Sequence, residues 1–150
     1  MKILNPIFAI IFFISTSACY SQNKSMKKVI TSSVAPSPIG PYSHAILAGN
    51  TLYVSGQVAK KADTGELVLS DIKSETHQVM KNVGAILKEA GMDYSDIVKT
   101  TIFLTDMNSF AQVNEVYGSY FSGNFPARET VQVSKLPLGV NIEISVTAVK

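Results

Sequence analysis

The sequence has few of the residues that commonly build metal and nucleophile sites. It contains one cysteine and two histidines, His44 and His77. A single cysteine cannot form an internal disulfide, and neither histidine belongs to a Cys/His cluster or an HExxH motif. A P-loop and a GxGxxG motif are also missing, and neither histidine has partners that suggest a Ser-His-Asp triad. We therefore expect neither a metal site nor a nucleotide-binding site.

The sequence also lacks a basic run. Lysine and arginine number 13 against 11 acidic residues, which gives a net charge of +2. No stretch interleaves aromatic and basic residues. Domains that bind nucleic acid usually carry a basic patch that neutralises phosphates. The charge balance therefore argues against RNA or DNA as a partner.

No apolar run has the length of a membrane span. The run Ile7 to Ile14 is too short to cross a bilayer, but it follows Lys2 and precedes the small residues 15–18. This is the three-part layout of a secretory signal peptide. The sequence therefore predicts a signal peptide over residues 1–19 and an exported protein.

Cys19 directly follows the small residues and is a candidate for lipidation. The layout resembles a bacterial lipoprotein signal, in which cleavage leaves a lipidated N-terminal cysteine. Thr16 stands where that signal usually has an aliphatic residue. Cleavage near Ser21-Gln22 would instead remove the cysteine. Simple secretion into the periplasm and lipid anchoring to a membrane both remain open.

The rest of the chain has the size of one domain with a real hydrophobic core. A polar linker over residues 20–28 leads into a single domain over residues 29–150. Gly49-Asn50 is a two-residue hairpin signal between two strands. Apolar periodicity predicts the order β-β-β-α-β-α-β-β, with strands at 27–30, 44–48, 51–57, 97–104, 129–134 and 141–149, and helices at 71–90 and about 108–121.

The strand and helix patterns also predict which side chains are buried. Hairpin pairs joined by two helical crossovers imply a mixed sheet whose helices cover one face, an α+β arrangement. We expect the fourth strand to place Val98, Thr100, Ile102 and Leu104 on one face, and the second helix to bury Phe110, Val113, Tyr117 and Tyr120. The opposite face of the sheet is expected to carry Thr130, Gln132, Glu143 and Ser145.

Arg128 is the only arginine beside twelve lysines. A guanidinium grips a carboxylate through two parallel hydrogen bonds, which a lysine cannot do. Pro126 stiffens the loop before it, and an alternating strand follows. These features favour an arginine that binds an anionic ligand, although a surface arginine beside Glu129 is an alternative.

Glu143 is the candidate carboxylate on the last strand. We expect it to lie on a strand neighbouring that of Arg128, on the same polar face. An arginine that orients an anionic substrate and a carboxylate that positions water would form a hydrolytic site. The alternative is a solvated charge on a sheet face.

Many ordered stretches closely resemble the Rid family, the reactive intermediate deaminases (RidA/YjgF, also called endoribonuclease L-PSP). The resemblance covers residues 37–150. It is carried by Ile39-Gly40-Pro41-Tyr42, Val54-Ser55-Gly56-Gln57, Asn82-Val83, Ala90-Gly91, Asp96 to Thr101, Val113-Asn114, Tyr117, Phe125-Pro126-Ala127-Arg128, Leu136-Pro137 and Ile142-Glu143-Ile144.

The resemblance implies a chorismate-mutase-like α+β fold and a homotrimeric barrel with its sites between subunits. It also implies hydrolysis of imines and enamines, such as 2-iminobutanoate, to 2-oxo acids and ammonia without a cofactor. Arg128 would bind the substrate carboxylate, and Glu143 would hold or activate water. The remaining pocket residues implied by the resemblance are Ser55, Gly56, Tyr42 and Asn114.

The chain departs from the family pattern in three respects. Thr130 stands where a cysteine is frequent, the 121–124 connection is short, and the family is typically cytosolic. A non-catalytic small-carboxylate-binding or chaperone-like module is therefore kept as an alternative to the deaminase. A third interpretation, ribonuclease activity, follows from older family naming and is disfavoured by the near-neutral charge and the predicted export.

Overall fold

The computed structural model describes residues 27–150. The predicted signal peptide and Cys19 lie outside the described residues. The observed order of strands and helices is the predicted one. The elements are β1 Lys27–Ile30, β2 Ala45–Ala48, β3 Thr51–Gln57, α1 Ile72–Glu89, β4 Ile97–Leu104, α2 Phe110–Gly118, β5 Ala127–Gln132 and β6 Ile142–Val149. None of the helices within residues 27–150 is long and apolar enough to cross a membrane.

The six strands form one mixed sheet in the order β1-β2-β3-β6-β4-β5. β4 and β5 are parallel, and the other neighbouring pairs are antiparallel. Both helices pack on one face, which we call the helix-covered face. The other face, called the uncovered face, carries Tyr53, Phe103, Glu143 and Ser145. The predicted α+β class with helices on one face is therefore confirmed.

Helix α1 forms because its sequence supplies both ends and one apolar stripe. The Asp71 side chain caps the start by accepting a hydrogen bond from the Ser74 N–H. Gly91 ends it with φ of 68°, a conformation that glycine adopts at little cost. The side chains that α1 buries against the sheet include Val79, Met80, Val83, Ile86 and Leu87. This packing holds α1 against the sheet.

The prediction that Arg128 and Glu143 lie on neighbouring strands and share a face is wrong. β4 lies between β5 and β6. β5 is parallel to β4 and pairs Arg128 with Thr100, which is fully buried under the helices. Paired residues in register point to the same face, so Arg128 lies on the helix-covered side. Glu143 pairs with Phe103 on the uncovered face.

The prediction that Thr130 and Gln132 lie on the uncovered face with Glu143 is also wrong. They pair with Ile102 and Leu104, both fully buried on the helix-covered side. The crossover through α2 returns the chain as a parallel edge strand. The pairing of β5 with β4 then decides which face each side chain of β5 occupies. The alternation of polar and apolar residues within β5 alone does not reveal this pairing.

Two burial predictions are wrong for local reasons. Val98 is 48% exposed, because an irregularity in register between Ile97 and Lys99 turns Ile97 to the core instead. Phe110 is 38% exposed because it opens α2 and lies in its first turn. Val113 and Tyr117 are buried as predicted, whereas Tyr120 is only half-buried and follows the end of α2.

Candidate active site

Arg128 lies between the edge strand β5 and the aromatic side chains of α2. Its guanidinium carbon is 5.1 Å from the centre of the Tyr117 ring and 5.7 Å from that of Phe110. A guanidinium over ring faces is attracted by their negative charge distribution, and it keeps its N–H groups free for another partner. The two rings therefore hold the guanidinium in place without neutralising its charge.

Glu129 does not pair with Arg128. Successive strand residues point to opposite faces, and the Glu129 carboxylate accepts hydrogen bonds from Lys99 and Thr101 on the other side of the sheet. No ion pair within residues 27–150 includes Arg128. The alternative of a surface arginine paired with its neighbour is therefore not what the structure shows.

Arg128 opens into a pocket of about 400 Å³, which we call the arginine pocket. Its lining consists of Asn114, Tyr117, Gly118, Phe125, Pro126 and Arg128. Within the described residues, the buried Asn114 Oδ1 and Thr130 Oγ1 have no hydrogen-bond partner. Of these two residues, only Asn114 lines the arginine pocket. A buried polar atom without a partner is costly, so a donor from a ligand or another chain would stabilise this pocket.

A second pocket of about 280 Å³ contains the carboxylate, and we call it the glutamate pocket. It lies where β3 meets β6, and its lining consists of Ile39, Tyr42, Ser55, Gly56, Val58, Pro137 and Glu143. The pairing register of β3 shifts between Val54 and Gln57. The resulting bulge places Ser55 and Gly56 beside Glu143.

Gly56 is required by the position of the Glu143 carboxylate. A Cβ added at Gly56 would overlap Oε1 of Glu143, so only a glycine leaves room for this packing. The same half-buried position raises the pKa of Glu143 above its usual range, because burial disfavours the charged form. A carboxylate with a raised pKa is a better proton acceptor near neutral pH.

Ser55 and Tyr42 are fixed by hydrogen bonds to backbone groups. The Ser55 hydroxyl donates to the Ser43 carbonyl at 2.7 Å, and the Ser55 N–H donates to the His44 carbonyl at 3.0 Å. The Tyr42 hydroxyl accepts from the Ile39 N–H at 3.2 Å. Because the Ser55 hydroxyl proton is engaged, the oxygen offers the pocket an acceptor and not a donor.

The six site residues predicted from the sequence are thus divided between two pockets. Ser55, Gly56, Tyr42 and Glu143 come together in the glutamate pocket on the uncovered side. Arg128 and Asn114 come together in the arginine pocket on the helix-covered side. One chain by itself does not bring the arginine and the glutamate into one cleft.

Two polar residues near the site were missed by the sequence reasoning. His44 is buried; its Nδ1 accepts the Ser32 N–H at 3.1 Å, and its Nε2 donates to the Pro36 carbonyl at 2.8 Å. It thereby ties down the loop that leads to Tyr42. No motif signalled this role.

Glu75 is the second missed residue. It is fully buried on α1, and its carboxylate accepts the backbone N–H groups of Asn141 and Ile142 at 2.6 and 3.3 Å. These bonds fix the chain directly before Glu143. A charged residue within the apolar stripe of α1 was the available signal.

Comparison with known proteins agrees with this architecture. A Rid family protein from Yersinia pestis matches the fold with a TM-score of 0.81 and 52% sequence identity, over 83% of this chain and 100% of that one. The structure of E. coli TdcF with bound serine matches with a TM-score of 0.79 and 39% identity, over 82% and 98% of the two chains. The fold class is therefore the chorismate-mutase-like, RidA-type α+β domain.

The sequence comparison gives the family. The sequence model of the Endoribonuclease L-PSP family matches residues 32–150. A protein of Rattus norvegicus named 2-iminobutanoate/2-iminopropanoate deaminase is 49% identical over 125 residues, which cover 83% of this chain and 91% of the rat protein. The chain belongs to the Endoribonuclease L-PSP family, which is the Rid family that the motifs resemble.

Proposed function

We propose that the protein hydrolyses 2-imino acids and their enamine tautomers to 2-oxo acids and ammonia. The observation that carries this proposal is the Arg128 guanidinium, whose charge is not neutralised and which faces a pocket of about 400 Å³. A small carboxylate can accept two parallel hydrogen bonds from that guanidinium. Relatives named deaminases support the same chemistry, and the chain is accordingly a hydrolytic enzyme.

The proposed mechanism uses an electrophile that is already reactive. Arg128 holds the substrate carboxylate, and Glu143 takes a proton from water as its oxygen bonds to the imine carbon. Glu143 passes that proton to the imine nitrogen, which gives a neutral tetrahedral carbinolamine. The hydroxyl proton of this intermediate then moves to the nitrogen through Glu143, and ammonia leaves as the carbonyl forms. Burial of Glu143 supports this shuttle, because it raises the pKa of the carboxyl toward the working pH. The main contribution of the site is positioning.

The complete site is proposed to form between two copies of the chain. The arginine pocket and the glutamate pocket lie on opposite sides of one sheet, so a second copy must supply the missing half. A cyclic homotrimer that packs its uncovered faces together would juxtapose the pockets repeatedly around one axis. The partnerless Asn114 Oδ1 supports a further contact at this place.

Turnover distinguishes this proposal from a carboxylate-binding or chaperone-like module. The chain would be expressed from Tyr20 onward, and 2-iminobutanoate would be generated in situ by an amino-acid oxidase. We expect imine loss and ammonia release faster than in buffer, and no acceleration with Arg128→Ala or Glu143→Ala. A folded wild-type protein that binds small carboxylates but releases no ammonia would contradict the deaminase.

Export and lipid anchoring are separate proposals that rest on residues 1–19. The full chain would be expressed in a bacterium. The distribution of the protein among cytoplasmic, periplasmic and membrane fractions would be measured, together with the mass of its mature N-terminal peptide. Export predicts loss of the apolar segment and recovery outside the cytoplasm. If Cys19 carries a lipid, wild type should be recovered with the membrane and Cys19→Ala should not. If the protein is simply secreted, wild type and Cys19→Ala should both be recovered in the periplasm. An uncleaved cytoplasmic chain would contradict both proposals.

A further inference from the structure

The turn between β5 and β6 contains a leucine in an unfavourable backbone conformation. Leu138 has φ of 58° and ψ of 7°, in the left-handed region, and Gly139 follows with φ of 72°. Glycine and asparagine adopt this region readily, but an aliphatic side chain is crowded there by the backbone. Strain of this kind is frequent at functional sites.

The surrounding turn determines this conformation. Leu136 and Val140 flank it and are 7% and 1% exposed. The Gly139 N–H donates to the Leu136 carbonyl, and the Val140 N–H donates to the Pro137 carbonyl at 3.3 Å. Leu138 itself is 46% exposed. The core therefore fixes the turn without requiring a leucine at its tip.

The Leu138 side chain lies beside the proposed site. With Ile39, Tyr42 and Gly56 it lines a small cavity that adjoins the glutamate pocket, and Pro137 lines the glutamate pocket itself. Ile39 and Tyr42 are 55% and 47% exposed. Ile39, Tyr42 and Leu138 thus form a partly exposed apolar rim beside the pocket that contains Glu143.

We propose that Leu138 is a specificity-determining residue that favours imino acids with branched or long apolar side chains over 2-iminopropanoate. The inference rests on the proposed deaminase function. The additional methylene groups of such a substrate would be removed from water when they pack against the rim formed by Ile39, Tyr42 and Leu138. A fully enclosed pocket discriminates one methylene by about tenfold or more, and a partly open rim should give less per group.

The test compares Leu138→Asn with Leu69→Asn. Leu69 is 44% exposed, so it matches Leu138 in exposure, but it lines neither the cavity nor the glutamate pocket. Oxidase-generated imines of leucine and alanine would be supplied separately, and kcat/KM above the buffer rate would be measured. We expect wild type and Leu69→Asn to share one preference for the leucine-derived imine. Leu138→Asn should lower that preference roughly three- to tenfold, with the alanine-derived imine changed less than twofold.

Thermal stability separates this role from simple packing. Asparagine tolerates the left-handed conformation, so the melting temperature of Leu138→Asn should not fall, and Leu138→Gly should show the same loss of preference. A wild-type preference that survives both substitutions would overturn the inference and leave the deaminase intact. So would unfolding of both variants, which would make Leu138 a packing residue. Absence of turnover of either imine by folded wild type would overturn both proposals.

Discussion

The arginine pocket and the glutamate pocket are built by opposite means. Arg128 stands on an edge strand, and aromatic rings that leave its N–H groups free hold it. Glu143 stands on a central strand, and its carboxylate lies against the Gly56 backbone within a bulge. The first pocket presents a fixed charge, whereas the second shifts a protonation equilibrium.

In the proposed mechanism, this difference gives the two residues separate tasks. Binding a carboxylate needs a charge that never titrates, which arginine supplies. Moving a proton needs a group whose pKa lies nearer to the working pH, which burial of a glutamate supplies. Because the sheet separates the two pockets within one chain, a substitution in one pocket does not contact the other pocket of the same chain.

Removing the arginine should have the largest effect. Arg128→Ala is expected to lower kcat/KM at least a hundredfold, because two charge-assisted hydrogen bonds to the substrate are lost. Arg128→Lys keeps the charge but loses the fork, and it should recover only a small part of the activity. Steady-state kinetics with 2-iminobutanoate provide the measurement. Near wild-type activity in the lysine variant would refute a bidentate role.

Glu143→Gln tests the protonation equilibrium in the other pocket. The ionised carboxylate is the proposed base, so wild-type kcat should fall as pH drops through the raised pKa of Glu143. The glutamine variant should be about a hundredfold slower and lack that acidic limb. Its activity is measured across pH, with the spontaneous imine decay subtracted at each pH.

Stability provides the control for the Glu143 substitution. A carboxyl whose folded pKa is raised binds its proton more tightly in the folded chain, so its stability contribution is present at low pH and lost as pH rises. Glu143→Gln should therefore be no less stable than wild type at neutral pH. Marked destabilisation there would indicate a structural role for the carboxylate.

The two pockets each contain a glycine whose replacement sharpens the comparison. Gly56→Ala places a methyl group on the Glu143 carboxylate and should lower kcat roughly ten- to a hundredfold. A methyl group at Gly118 meets nothing within 4 Å, so Gly118→Ala should keep activity within about twofold. Kinetics and melting temperatures of both variants test this. Equal losses would contradict the close contact between Gly56 and Glu143.

The smallest effect is expected at the loop that closes the glutamate pocket. Tyr42→Phe removes the acceptor of the Ile39 N–H and should lower kcat/KM about two- to fivefold. Tyr120→Phe is the matched control, because it also removes a hydroxyl bonded to its own chain, at the His77 carbonyl, and Tyr120 lines neither pocket. If the two variants lose activity equally, the hydroxyl of Tyr42 has no specific role.

The sequence predicted the elements well because their signals are local. The cap at Asp71, the apolar stripe of α1 and the left-handed Gly91 all act within a few residues. The family motifs also selected the residues that line both pockets. Such features depend little on where distant strands pair.

The face occupied by each site residue could not be predicted in the same way. It depends on the placement of β5 as a parallel edge strand beside β4, which is a long-range property. The buried contacts of Glu75 are also long-range, since Glu75 bonds residues 66 and 67 positions away, and those of His44 reach residues 8 and 12 positions away. Local periodicity carries no information about such pairs.

The central claim is that Arg128 of one copy acts with Glu143 of another. The direct test is to unfold inactive Arg128→Ala and Glu143→Ala chains together, refold them as a mixture and assay imine hydrolysis. With random assembly into cyclic trimers, roughly a quarter of the interfaces would contain both intact residues, so about that fraction of wild-type activity should return. No recovery from correctly reassembled mixed oligomers would contradict the claim.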